Sequence, residues 1–189
     1  MEFTPRSEAA GPMIPLTITI REAEEDDLGK VMAINRAELP ENYPYGFFHF
    51  IWKKWKRYFL VAEYNGEVVG YLMSMVDSRN PLVPPSAEIR KYIESGKKVS
   101  HLLSIAVLKK YQGMGIGSGL LKEYLRRLAE DGFDISYLEV RVSNTKAIRL
   151  YEKFGYKRVR VLPFYYLDGE DAYLMVKEID EGGVGGWQV

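Results

Sequence analysis

A strand-like apolar run, Ser104-Ile105-Ala106-Val107-Leu108, is followed closely by Gln112-Gly113-Met114-Gly115-Ile116-Gly117 and then by a helix-periodic stretch with Leu120, Leu121, Leu125 and Leu128 on one face. Strand, glycine loop and helix in that order form an anion-binding layout. Glycines let the backbone approach a phosphate closely, while the first-turn N–H groups and the helix dipole face it. The pattern is short, and an ordinary tight strand-to-helix turn would also satisfy it. Two nucleotide loops are excluded. The second and third glycines are wrongly spaced for the dinucleotide fingerprint, and the loop follows a mid-chain strand. No Gly-Lys-Ser/Thr is present for a P-loop.

The rest of the chain, 189 residues in all, has the length of one domain. Residues 16–21 alternate as a half-buried strand, and the acidic run 24–27 opens a helix at its favourable end. Pro40 should stop that helix near Leu39, and a second follows over about 47–56. Strand-like runs at 58–64 and 67–76 flank Asn65-Gly66, a strong two-residue hairpin signal. Prolines then mark 77–98 as a surface insertion with a short helix near 87–95. Beyond it the pattern gives strand 99–108, a helix to about Glu130, strand 135–142, helix 144–154, and closing strands near 156–165 and 172–179. The expectation is an α/β (α+β) domain over 16–180, with one mixed sheet of about seven strands and four to five helices. The front half should be antiparallel and the back half mostly parallel, through a right-handed crossover.

Composition narrows the function. Lys plus Arg and Asp plus Glu number 26 each, so nothing suggests a general nucleic-acid binder. No cysteine occurs, which excludes disulfides, thiolate metal sites and a cysteine nucleophile and fits a reducing cytoplasm. Segments 1–15 and 181–189 read as flexible tails, and no window has the roughly 20 apolar residues of a membrane span. The basic run Lys53-Lys54-Trp55-Lys56-Arg57 reads as a solvated helix face.

Gln112-x-x-Gly115-x-Gly117 resembles the pyrophosphate loop of the GCN5-related N-acetyltransferase (GNAT) superfamily, and Asn144-x-x-Ala147-Ile148-x-Leu150-Tyr151-x-x-x-Gly155-Tyr156 resembles its second coenzyme A motif. Three further strings resemble N-terminal acetyltransferases, namely RimI-like enzymes and archaeal relatives of the catalytic subunit of the N-terminal acetyltransferase A complex. They are Leu39-Pro40-Glu41-Asn42-Tyr43, residues 137–144 (Tyr-Leu-Glu-Val-Arg-Val-Ser-Asn) and residues 165–173 (Tyr-Tyr-Leu-Asp-Gly-Glu-Asp-Ala-Tyr). The insertion 77–98 is longer than in the eukaryotic relatives. The resemblance implies acetyl-coenzyme A as co-substrate, no metal, and protein or peptide N-termini as acceptors, with the ribosome or nascent chains as a further partner. It implies coenzyme contacts from Ile105, Ala106, Val107, Gln112, Gly113, Met114, Gly115, Ile116, Gly117, Ser118, Asn144 and Tyr151, and peptide contacts from Leu39, Glu41, Tyr43, Arg141, Tyr166 and Tyr173.

Several of these residues also have a plainer explanation. His101, one of two histidines, reads from sequence as a surface residue beside a basic turn; the resemblance sets it near the substrate amine. Glu139 stands in mid-strand among apolar residues, where a carboxylate is costly unless paired. A cross-strand arginine would explain it, and so would a base role shared with His101. Asn144 is a natural helix N-cap. Tyr151 has core spacing, and the resemblance adds contact between its hydroxyl and the coenzyme sulfur. Glu41 and Tyr43 fit plain turn chemistry, and Tyr165, Tyr166 and Tyr173 fit sheet packing. Two alternatives stay open: acetyl transfer to lysine side chains or small amines, and a non-catalytic acyl-coenzyme A sensor.

Overall fold

The structure is a computed structural model describing residues 17–76 and 85–180; the expected tails and the 77–84 part of the expected insertion lie outside these residues. Strands β1 (Ile18–Glu22), β2 (Phe59–Tyr64), β3 (Glu67–Met75), β4 (Val99–Val107), β5 (Ile135–Arg141), β6 (Lys157–Leu162) and β7 (Ala172–Glu178) form one sheet in the order β1-β2-β3-β4-β5-β7-β6. Among the described residues five α-helices accompany them: α1 (Leu28–Glu38), α2 (Tyr45–Trp55), α3 (Ala87–Glu94), α4 (Ile116–Glu130) and α5 (Thr145–Lys153). The mixed seven-stranded sheet is the one expected.

Local chemistry explains the boundaries. Asn65 and Gly66 take φ of 50° and 81°, the doubly left-handed turn that matches strand twist in a two-residue hairpin. A capping box between Glu24 and Asp27 opens the turn before α1, and Arg21 holds the Asp27 carboxylate at 2.6 Å. Pro40 follows the extended Leu39 and ends α1.

α1 and α2 cover one sheet face, where Tyr71 accepts a hydrogen bond from Asn35 and packs edge-on against Phe48. α4 and α5 cover the other. There the buried Tyr124 hydroxyl joins Ser74, Ser100 and Ser136, so no hydroxyl in that group is without a partner.

Two expectations change. The back half is not mostly parallel. Among the described residues β4 and β5 form the one parallel pair, because β7 returns antiparallel between β5 and β6 after the connection 163–171. Nor does the stretch after residue 84 lie wholly on the surface. Ser86 caps α3, and the fully buried Ile89 seals a second apolar cluster with Val99, Ile135, Tyr137, Leu174 and Val176.

One irregularity positions the site. β4 and β5 pair from Val99↔Ile135 only as far as His101↔Tyr137, although both strands continue. Just beyond, a bulge leaves Leu103 unopposed, with Met73 facing Ser104 and Ser74 facing Leu102. The strands therefore splay and leave main-chain groups without a strand partner across a gap.

Candidate active site

The gap opens into a cavity of about 740 Å³. One wall is made by β4, the glycine loop and the start of α5; the other by the α1–α2 loop and the β6–β7 hairpin. His101 and Glu139 lie at the splay, where the two walls meet.

The first wall is largely main chain. Gly113 and Gly115 take φ of 82° and 80°, and Gly115 is the N-cap of α4, so the loop turns in a region that side chains disfavour and presents the helix N–H groups. Leu108 N–H bonds β3 through Val69, so by alternation Val107 and Ile105 direct main-chain groups toward the gap. Asn144 caps α5, its side chain accepting from Ala147 N–H at 3.1 Å. Tyr151 is buried beneath this wall, and burial, then Tyr71, pushes its phenol pKa upward, so it remains a hydrogen-bond donor. Two expected contacts change. Met114 is 43% exposed and does not line the cavity; only its backbone belongs to the loop. The Gln112 side chain is engaged by protein: its amide donates to the Val107 carbonyl at 2.8 Å and to Glu38, and its oxygen accepts from Lys146 at 2.6 Å.

At the junction, His101 Nε2 stands 2.6 Å from Glu139 Oε2, and the imidazole stacks on Tyr137 at 4.2 Å. The histidine side chain is 5% exposed and the carboxylate 14%, so His101 is no surface residue, and the partner of Glu139 is this histidine rather than an arginine. His101 Nδ1 is buried with no hydrogen-bond partner. Burial, then the charge of Glu139, raises the phenol pKa of Tyr165 and of Tyr137.

The second wall is built from side chains. Arg141 ties its two halves together: it reaches Glu41 at 2.6 Å on the α1–α2 loop, and Asp168 at 2.7 Å and Glu170 at 2.6 Å on the hairpin. Its guanidinium also lies 4.0 Å over the Tyr166 ring. A bond from Glu170 N–H and then Arg141 hold Asp168 below the usual carboxylate range; Ser143 and then Arg141 do the same for Glu170. Tyr43 stacks on Phe47 at 4.7 Å beside Leu39. Tyr173 is not part of this wall. It pairs with Val140 on the α5 side of the sheet, with the Arg158 guanidinium 4.9 Å above its ring.

The pattern of the acetyltransferase (GNAT) family matches residues 20–156. The chain belongs to this family. An N-alpha-acetyltransferase of Sulfurisphaera tokodaii is 46% identical over 157 residues, covering 82% of this chain and 90% of that protein. The N-terminal acetyltransferase A complex catalytic subunit NAA10 of Arabidopsis thaliana is 34% identical, covering 86% of this chain and 78% of its own length. Among solved structures, Ard1 from Thermoplasma volcanium superposes with a TM-score of 0.74 at 30% identity, over 87% of this chain and 99% of that one.

This acetyltransferase has site-lining residues that sequence reasoning passed over. Glu38, Phe47, Ser104, Lys146 and Leu150 all line the cavity. Leu150 lies inside the second motif, and Phe47 begins the helix expected after Pro44, so both were within reach of sequence reasoning. Glu38 carries no local signal; its partners are about 70 residues away in sequence. No described helix is long and apolar enough to cross a membrane.

Proposed function

We propose that this acetyltransferase transfers the acetyl group of acetyl-coenzyme A to the free α-amino group of protein and peptide N-termini, by direct attack within a ternary complex. The observation that carries the reading is the His101–Glu139 pair, 2.6 Å apart, at the junction of a main-chain wall and a side-chain wall.

The coenzyme supplies an activated acyl carbon and a thiolate leaving group. The Ile105 and Val107 backbone suits the amides of its pantetheine arm, and the α4 N-terminus with Gly113 and Gly115 suits its pyrophosphate. An α-amine of pKa near 8 is already about a tenth neutral at pH 7, whereas a lysine near 10.4 is neutral only about once in 2,500 molecules. A weak base therefore suffices for an N-terminus. His101 and Glu139, directly or through one water, take the proton that the amine releases as it attacks. An unpaired N–H of β4 stabilises the oxygen that becomes negative. Tyr151, kept protonated by burial, donates to the departing sulfur.

Preference for an N-terminus over a lysine follows from that difference in pKa, and the second wall is where the amine enters. Arg141 draws both of its halves together, and Glu41 and Glu139 add negative charge where an ammonium enters. The names of the relatives agree with this reading. Small first residues such as Ser, Ala and Thr, and also Met, are the proposed acceptors. Nascent chains at the ribosome, in the cytoplasm, are the proposed setting.

The test is thiol release from acetyl-coenzyme A with a peptide beginning Ser-Ala and containing an internal lysine, beside the same peptide with its N-terminus blocked. Activity on the free peptide alone is expected. Equal activity on both would move the acceptor to lysine, and coenzyme binding without turnover on either would point to a sensor.

A further inference from the structure

Glu38 is the last residue of α1, it lines the cavity, and its carboxylate bonds the chain at the start of the glycine loop. One oxygen accepts the Lys109 N–H at 2.8 Å, where the chain enters the loop after β4. The other accepts from the Gln112 amide at 3.3 Å. That same amide nitrogen donates to Val107 at 2.8 Å, and the amide oxygen takes Lys146 at 2.6 Å. One bracket thus joins the end of α1 to β4, the loop and α5.

On its other side Glu38 is joined to the peptide wall by a short, stiff piece of chain. Leu39 is extended, with φ of −127°, and Pro40 has a fixed φ. Glu41 then takes the Arg141 guanidinium, and Tyr43 stacks on Phe47. A shift of Glu38 is therefore a shift of Glu41 and Tyr43. The carboxylate also carries the wrong sign for a neighbour of a pyrophosphate loop, since like charges repel. Coenzyme affinity alone does not account for its position.

We infer that Glu38 is a positioning residue that couples the coenzyme loop to the peptide lip, so that the coenzyme and the peptide N-terminus favour the same seating of its carboxylate. The inference rests on the coenzyme and peptide assignments proposed above. By linkage the effect is reciprocal: each ligand tightens the other by the same factor.

The experiment is isothermal titration of the full chain with free coenzyme A and with a hexapeptide beginning Ser-Ala, each alone and in the presence of the other. Coenzyme A, having no acetyl group, binds without turnover. In the parent protein the coenzyme should tighten peptide binding about 5- to 10-fold, and the peptide should tighten coenzyme binding equally. In Glu38→Ala that factor should fall below about 2, while coenzyme affinity measured alone holds or improves because a like charge is gone. Glu38→Gln, which keeps an acceptor for Lys109 but none for the Gln112 amide at the second position, should fall between the two and serves if the alanine variant melts early. A brace of purely structural value would weaken both ligands and leave the factor intact. That result would overturn the inference, as would a factor of one in the parent protein. Failure of the parent protein to bind coenzyme A at all would overturn the coenzyme assignment itself, and is distinguishable because no coupling factor then exists.

Discussion

The two walls of the cavity are made from different chemical groups. The wall proposed for the coenzyme is backbone: a splayed strand, two glycines at positive φ and the N-terminus of α4. The wall proposed for the peptide is side chains, with one guanidinium holding three carboxylates and a tyrosine lying against it. Backbone groups are the same in every sequence, so the first wall depends on conformation and tolerates substitution wherever φ allows. The second depends on the identity of each residue, and there a single substitution can change what is bound.

The largest expected effect tests the line between the walls. Changing His101→Ala and Glu139→Gln together should lower kcat by about 10²- to 10⁴-fold and leave coenzyme binding intact. Each single change should cost less, because the remaining partner still accepts a proton. Loss of coenzyme affinity on titration of the double variant would mean that the pair belongs to the first wall instead.

Next comes the backbone wall. A side chain at Gly115, where φ is 80°, costs about 1–2 kcal/mol. Gly115→Ala should accordingly raise KM for acetyl-coenzyme A about 10-fold while KM for peptide stays put. A built methyl at this position meets nothing within 4 Å, so the strain comes from backbone conformation rather than crowding. Equal rises in both constants would show that the walls are not separable.

For the side-chain wall, Arg141→Ala should raise KM for peptide several-fold to about 10-fold, with KM for acetyl-coenzyme A unchanged, because three carboxylates lose their common partner. Arg141→Lys should recover only part, since an ammonium cannot span the loop and the hairpin as a planar fork does. A rise in the coenzyme constant alone would reverse the assignment.

The smallest effect is a plateau in pH. Asp168 and Glu170 titrate below their ordinary values of 3.8 and 4.5, so the folded form holds them ionised more strongly than the unfolded chain does. Their contribution is complete above about pH 4.5 and is lost as pH falls through the depressed values. Their contribution to stability, followed by urea unfolding, should therefore stay flat from pH 8 to about 5 and weaken only below. A break near pH 6 would implicate a histidine in place of the carboxylates.

The same contrast governs how much was legible before the structure. Asn65-Gly66, Pro40, Asn144 and the glycine spacing act within a few residues, through dihedral preferences and local hydrogen bonds. The hairpin, the end of α1, the cap of α5 and the loop are therefore where the sequence suggests. The outward side chain of Met114 was not legible because spacing identifies a loop without saying which of its side chains face inward, and the bonding of the Gln112 side chain was not, because its partners come from three other elements. Tyr173 was misread because a one-residue shift of register moves a strand residue to the opposite face.

The sequence by itself determined the mixed α/β class, its helices and strands, the glycine loop and the family motifs, because these rest on short-range periodicity and on residues with special backbone freedom. Only the tertiary structure decided that β7 lies between β5 and β6, that β4 and β5 part after His101, that His101 meets Glu139 across 38 positions, and that Arg141 meets Glu41 across 100. Those contacts depend on strand order and on which side chains the sheet brings together. The free energy of such long-range pairing belongs to the whole packed chain, and no local pattern records it.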